Sequence, residues 1–187
     1  MRTGNKCLDD DVYFSIYAAE GGYGAVLAGG SGLLEVWLPT PGLTETIDSS
    51  IQARYPRVRM DSALTVEASD LLSRYFSREP VTFALPIDDR MFTAFQRQVY
   101  LAVMAIDYGT VKSYGAIARE ILRPQAARGV GSAMARNPLP VIIPCHRVIG
   151  SSGKMTGYSA PGGVQLKISL LKMEKEVLEL LEKSERR

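Results

Sequence analysis

The β-type patterning of this chain is confined to its first forty residues. "DVYFSIYAA", "GYGAVLA" and "GLLEVWLP" are short runs rich in β-branched and aromatic residues, separated by "EGG" and "GGSG". Glycine-bearing breaks of this length between such runs are hairpin connections, so the three runs read as an antiparallel meander. Helical spacing then takes over. "ETIDSSIQARY" and "VEASDLLSRYF" carry apolar residues at helical intervals, and "REPVTFALPIDD", with two prolines, reads as an extended linker. A sheet segment followed by helical ones predicts an α+β chain. At 187 residues there is enough chain for two small domains. The linker divides them into residues 1–90, a supporting sheet-and-helix domain, and residues 91–187, which are mostly helical.

The second half carries clear helix punctuation. Thr93 and Gln96 form a capping box, followed by Phe95, Val99, Ala102, Val103 and Ile106 on one face. "DYGT" ends that helix. Ser113 caps a short helix through Ile121, with Ile117, Ala118 and Ile121 inward. Pro124 suits the first turn of the next helix, which runs to about Arg136 and stops at Asn137-Pro138. Two short helices joined by a tight turn have the form of a helix-turn-helix, and equally of any αα-hairpin in a bundle. The second of them, "QAARGVGSAMARN", holds Ala126, Ala127, Gly129, Gly131, Ser132, Ala133 and Ala135. Glycine inside a helix costs stability, so a close approach must be required there. Either another helix packs tightly against it, or it lies on a narrow surface such as the minor groove, with Arg128 the one long side chain at mid-helix.

Charge separates the halves. Residues 1–90 hold 8 Lys/Arg against 13 Asp/Glu, whereas residues 91–163 hold 8 against 2. A segregated positive segment is the electrostatic footprint of a polyanion binder, or of a chance cluster on a solvated face. Cysteine stands only at positions 7 and 145 and histidine only at 146, too few for a disulfide framework or a Cys/His zinc site. No metal is therefore expected. No apolar stretch reaches membrane-span length, and the acidic "MRTGNKCLDDD" is unlike a secretion signal, so a reducing cytoplasmic setting is expected, or a nuclear one in a eukaryote.

The basic segment contains "PLPVIIPCHRVIG", where Cys145 stands beside His146. Most lone cysteines are small buried hydrophobes, and a nucleophilic one needs a way to form thiolate. Neighbouring side chains of a strand point to opposite faces, but Pro144 can bend the chain. A histidine base also needs an orienting group. The last helical segment, "VQLKISLLKMEKEVLELLEK", provides an inward carboxylate: Leu170, Leu171, Val177, Leu178 and Leu181 all share a face with Glu174, while Glu176 and Glu179 point away. A glutamate on an apolar stripe is costly unless paired, either in a structural ion pair with an arginine or behind a catalytic histidine.

"IPCHRVI" resembles the active-site signature of the O6-alkylguanine-DNA alkyltransferases, the methylated-DNA–protein-cysteine methyltransferase family. "FQRQVYLAV", "YGTVKSYGAIA", "RGVGSAMARNPLPVIIPCHRVIGSSGKMTGY" and "LLKME" resemble family segments in the same order. The resemblance is close over Thr93–Glu174 and covers residues 1–90 in outline only. It implies a ribonuclease-H-like N-terminal domain and a C-terminal domain with a winged-helix-like helix-turn-helix. It implies stoichiometric, irreversible transfer of an alkyl group from guanine O6 in duplex DNA, and from O4-methylthymine, to Cys145. His146 would act through a water, oriented by Glu174. Tyr114 would press on the target phosphate and assist protonation of the leaving guanine, and Asn137 would hold the turn before the active-site segment. Arg128 would fill the gap left by the flipped base, with Ser113, Ala127, Gly131, Ser132, Ala135 and Arg136 along the DNA. Met134, Arg147, Val148, Tyr158 and Ser159 would line the guanine pocket. No cofactor is implied, and the partner is duplex DNA met by a monomer. The chain departs from the family at Asp107, where proline is common, and in "GYSAPGGV", which holds Ala160 and Pro161 in addition. A cysteine hydrolase would turn over, and a lesion-binding or regulatory DNA-binding protein would bind without transfer.

Overall fold

The computed structural model describes residues 11–42, 44–153 and 162–186, so Cys7, Tyr158, Ser159, Ala160 and Pro161 lie outside the described residues. Two compact units are present. One takes the chain up to Ser73 together with Thr82–Asp88, and the other takes Arg74–Val81 and the chain from Asp89 onward.

In the first unit, β1 (Tyr13–Ala19), β2 (Gly22–Gly29) and β3 (Gly32–Thr40) form the expected antiparallel meander, with Tyr13 opposite Ala28 and Ala19 opposite Gly22. Gly22 cannot be replaced without rearrangement: its φ is 144°, and a Cβ there would lie 2.0 Å from the Thr40 carbonyl oxygen. Helix α1 (Thr44–Arg54) then returns the chain to the opposite edge, where β4 (Arg59–Met60) pairs with β1 in parallel. The expected antiparallel sheet is therefore a mixed one, ordered β3-β2-β1-β4. A two-residue strand is too short to show a period, and the helical crossover sets its direction. Val12, Phe14, Ala25, Leu27, Leu34 and Ile51 form the core between sheet and helix. Helix α2 (Ala63–Phe76) follows. The end of the linker is not free: Leu33 N–H donates to the Pro86 carbonyl at 2.8 Å, and Asp88 N–H donates to the Leu33 carbonyl at 3.0 Å.

In the second unit, α3 (Ala94–Met104) starts with the expected capping box of Thr93 and Gln96, and Val99, Ala102, Val103 and Ile106 are buried. β5 (Lys112–Ser113) leads into α4 (Tyr114–Glu120), whose first turn is capped by Ser113 Oγ accepting from Ala116 N–H. Helix α5 is Ala127–Ala135, shorter than the sequence implied. Pro124 lies in a turn before it rather than in its first turn, because Ala126 N–H bonds back to the Arg123 carbonyl at 2.8 Å and closes that turn separately. Cys145–Arg147 is one 3₁₀ turn, followed by β6 (Val148–Ile149) and α6 (Gly163–Glu185). On α6, Leu170, Glu174 and Val177 are buried as expected, Leu171 and Leu178 are half-buried, and Leu181 is exposed. No helix among the described residues is long and apolar enough to cross a membrane.

Candidate active site

The segment between α5 and the 3₁₀ turn is held by local bonds. Asn137 Nδ2 donates to the Ile143 carbonyl at 2.8 Å, and its Oδ1 accepts from Leu139 N–H at 2.9 Å. Val141 sits at φ 76°, a strained conformation for a β-branched residue, and is buried. The segment is a turn rather than a strand: Ile143 N–H bonds back to the Leu139 carbonyl at 2.8 Å, Cys145 N–H to the Ile143 carbonyl at 2.7 Å around Pro144 at ψ 64°, and Cys145–Arg147 wind into the 3₁₀ turn. The bend anticipated at Pro144 is present. β6 then pairs in parallel with β5, Lys112 opposite Val148 and Ser113 opposite Ile149, which carries the start of α4 alongside the cysteine segment.

Cys145 is 5% exposed, and His146 and Glu174 are fully buried. The Glu174 carboxylate is surrounded by donors. Oε1 lies 2.8 Å from His146 Nε2, accepts from Tyr75 Oη–H at 2.7 Å and from Arg147 Nη2 at 2.9 Å. Oε2 accepts from Arg147 Nε at 3.0 Å and from Gly109 N–H at 2.9 Å. Gly109 has φ 72°, the conformation that aims its N–H at the carboxylate. Burial pushes the Glu174 carboxyl up, but hydrogen bonds and charge from His146 and Arg147 outweigh it and hold the pKa at about 2. Burial lowers the His146 pKa below 6.5, against the pull of Glu174, so the imidazole is neutral at neutral pH. Its Nδ1 is buried and has no hydrogen-bond partner among the described residues. The residue after the cysteine thus offers a free acceptor nitrogen, Nδ1, with a carboxylate behind its other nitrogen.

A model of the 6-O-methylguanine DNA methyltransferase DNA-binding domain matches residues 94–176. The methylated-DNA–protein-cysteine methyltransferase of Mycobacterium leprae is 47% identical over 109 residues, which is 58% of this chain and 64% of that protein. That of Methanosarcina mazei is 44% identical over 112 residues, 60% of this chain and 69% of that protein. The match thus spans slightly less than two thirds of the mycobacterial relative. The crystal structure of the Mycobacterium tuberculosis O6-methylguanine methyltransferase is 35% identical, with TM-score 0.70, over 88% of this chain and 93% of that one. This chain belongs to the methylated-DNA–protein-cysteine methyltransferase family.

Within this family member, the expected residues fall into three groups. His146 and Glu174 are in contact, Cys145 precedes His146 on the same 3₁₀ turn, and Asn137 braces the segment before them. Arg128, Ala135 and Arg136 are exposed along α5, with Ala127, Gly131 and Ser132 partly so, and Ser113 and Tyr114 partly exposed at the start of α4. Val148 and Met134 are buried. Arg147, expected at the guanine pocket, has its guanidinium paired with Glu174 and donating to the Ile106 carbonyl at 2.7 Å, with Tyr108 beneath it. The two readings of the inward glutamate, ion pair with an arginine and partner of the histidine, are thus both realised. The glycines of α5 also divide. A Cβ on Gly129 would lie 3.1 Å from the Phe95 ring, which would have to give by a few tenths of an ångström, whereas one on Gly131 would meet only Tyr114 at 3.8 Å.

Two residues of the site were missed in the sequence. Lys167 is fully buried, its Nζ donating to the Val148 carbonyl and standing 5.7 Å over the Tyr114 ring. Burial lowers its pKa, and negative charge on Cys145 opposes that shift. It lies seven residues before Glu174 on the same helix face, a signal that was available. Tyr75 had no such signal.

Proposed function

We propose that this protein repairs alkylated DNA by direct reversal, moving the alkyl group from guanine O6 in a duplex to the sulfur of Cys145. The observation that carries this reading is a buried Cys145 on the same 3₁₀ turn as a buried His146 that pairs with the buried carboxylate of Glu174. The thiol proton passes through a water to His146 Nδ1, and Glu174 stabilises the imidazolium. Lys167 favours the thiolate electrostatically. The thiolate attacks the alkyl carbon, forming a C–S bond as the C–O6 bond breaks, and the electron pair leaves with the guanine, which takes up a proton assisted by Tyr114. The thioether is not hydrolysed, so each molecule acts once and needs no cofactor.

The alkyl carbon is inaccessible inside a stacked duplex, so the base is extruded at a cost of a few kcal/mol. Arg128, exposed in the first turn of α5 rather than at mid-helix, fills the gap from the minor groove, where the small face around Gly131 permits close approach. We read α4 and α5 as a helix-turn-helix and β5, β6 as its wing. The β3-β2-β1-β4 sheet with β4 parallel to β1 suits a ribonuclease-H-like supporting domain. A related Mycobacterium tuberculosis protein has been crystallised in complex with DNA, in keeping with a duplex partner. O4-methylthymine, monomeric action and a cytoplasmic setting belong to the same reading.

Intact mass after incubation with a duplex containing one O6-methylguanine, followed by peptide mapping, tests it. One methyl group on the Cys145 peptide, saturating at one per protein, is expected. Binding of the duplex with no gain in mass would make this a lesion-recognition protein and refute the repair reading.

A further inference from the structure

Tyr75 stands in the last turn of α2, in "LLSRYF", far in sequence from Tyr108, His146 and Glu174, which it touches. It is fully buried, with its ring edge-on to Phe76 and to Tyr108 and tilted against the His146 ring at 6.3 Å. A buried tyrosine in a core needs one partner for its hydroxyl, and any backbone carbonyl would serve. This one instead lies 2.7 Å from Glu174 Oε1 and 3.2 Å from His146 Nε2.

The proton positions follow from the donor inventory. An ionised carboxylate only accepts, so the one hydroxyl proton of Tyr75 is spent on Oε1, the nearer atom. Toward His146 the phenol oxygen then presents a lone pair. Nε2 faces two acceptors, Oε1 and that oxygen, and must carry the ring proton. The free lone pair is on Nδ1, the buried nitrogen without a partner among the described residues. Tyr75 and His146 thus draw on the same carboxylate oxygen, and whatever Tyr75 takes from it is lost to the imidazole.

We propose that Tyr75 is a positioning residue for the Cys145 site: by donating to Glu174 Oε1 it sets how strongly that carboxylate holds Nε2–H, and so how strong a base His146 is. The inference rests on Cys145 being the alkyl acceptor that His146 serves. The remaining groups facing the histidine are Arg147 and Cys145 on the 3₁₀ turn, Lys167 on α6 and Tyr108 after α3, with the Arg78–Glu176 pair farther out. None of them except Arg147 donates from a side chain to the same oxygen. Arg147 is also fixed by Ile106, which leaves Tyr75 as the neutral, adjustable donor. A phenol at 2.7 Å withdraws more from the carboxylate than its oxygen returns to Nε2 at 3.2 Å, so its net effect weakens the base. A neutral imidazole ready to take the thiol proton, rather than a preformed imidazolium, is the result.

The chain's single histidine makes this measurable in the free protein by ¹⁵N-histidine labelling, where both ring nitrogens give unambiguous signals. In Tyr75→Phe, Nε2–H should move downfield as its bond to Glu174 strengthens, and the His146 titration midpoint should rise by about half to one pH unit. A second variant guards against misfolding: site-specific 3-fluorotyrosine at position 75 keeps ring and hydroxyl but donates more strongly, and should shift Nε2–H upfield. Opposite displacements in the two variants would support the proposal. An unchanged Nε2–H in folded Tyr75→Phe, or displacement of both in one direction, would overturn it and leave Tyr75 a packing residue. The readout requires no DNA, so its failure is separate from failure of methyl transfer.

Discussion

Glu174→Gln tests the electrostatic logic of the site most directly. In the parent, five donor groups converge on the carboxylate: Tyr75 Oη, His146 Nε2, Arg147 Nε and Nη2, and Gly109 N–H. The amide keeps one acceptor oxygen and turns an NH₂ toward either the Tyr75–His146 side or the Gly109–Arg147 side, while the Arg147 charge loses its counter-charge in a buried setting. The depression of Glu174 from 4.5 to about 2, at about 1.4 kcal/mol per pH unit, corresponds to about 3 kcal/mol of stability. Because the folded-state pKa is the lower one, that stability is present above about pH 4.5 and is lost as the pH falls toward 2. His146 adds to the acid sensitivity: its folded-state pKa is also depressed, so the unfolded chain binds the proton first as the pH drops through 6.5. Urea unfolding of parent and Glu174→Gln from pH 7 to pH 3 should therefore show a gap of about 3 kcal/mol at pH 7 that narrows below pH 4.5. For a chain of this length that gap lowers Tm by roughly 6–12 °C. A gap that stays constant across this range, or is under about 0.5 kcal/mol at pH 7, would refute the reasoning.

Two further predictions concern α5 and its C-terminal turn. Gly131→Ala should raise thermal stability by about 0.5–1 kcal/mol through helix propensity yet weaken duplex binding, whereas Gly129→Ala should gain less because the Phe95 ring must move. Equal stabilisation of the two, with unchanged duplex affinity, would remove the distinction between packing glycine and surface glycine. Asn137→Ala strips the partner from Leu139 N–H and from the Ile143 carbonyl, and should cost about 2 kcal/mol in urea unfolding while slowing methyl transfer to Cys145. Parent-like values for both would mean that the turn before the cysteine holds without it.

Much of the fold is written locally in the sequence. The meander follows from β-rich runs and glycine breaks, α3 and α4 from the Thr93 and Ser113 caps, and the inward placement of Glu174 from a 3.6-residue period. The adjacency of Cys145 and His146, with Pro144 before them, marks the chemistry. These signals act over a turn or two of chain, so one sequence suffices to read them. Tertiary structure decided what they leave open. The direction of β4 depends on the α1 crossover, and the separate turn at Pro124 depends on a backbone bond to Arg123. Arg147 joins Glu174, because a buried carboxylate demands a counter-charge and this guanidinium reaches it. Tyr75 meets Glu174 across 99 residues of chain. No local pattern encodes a pair so far apart: only packing the α2 end beside the site determines that this hydroxyl shares the oxygen His146 uses.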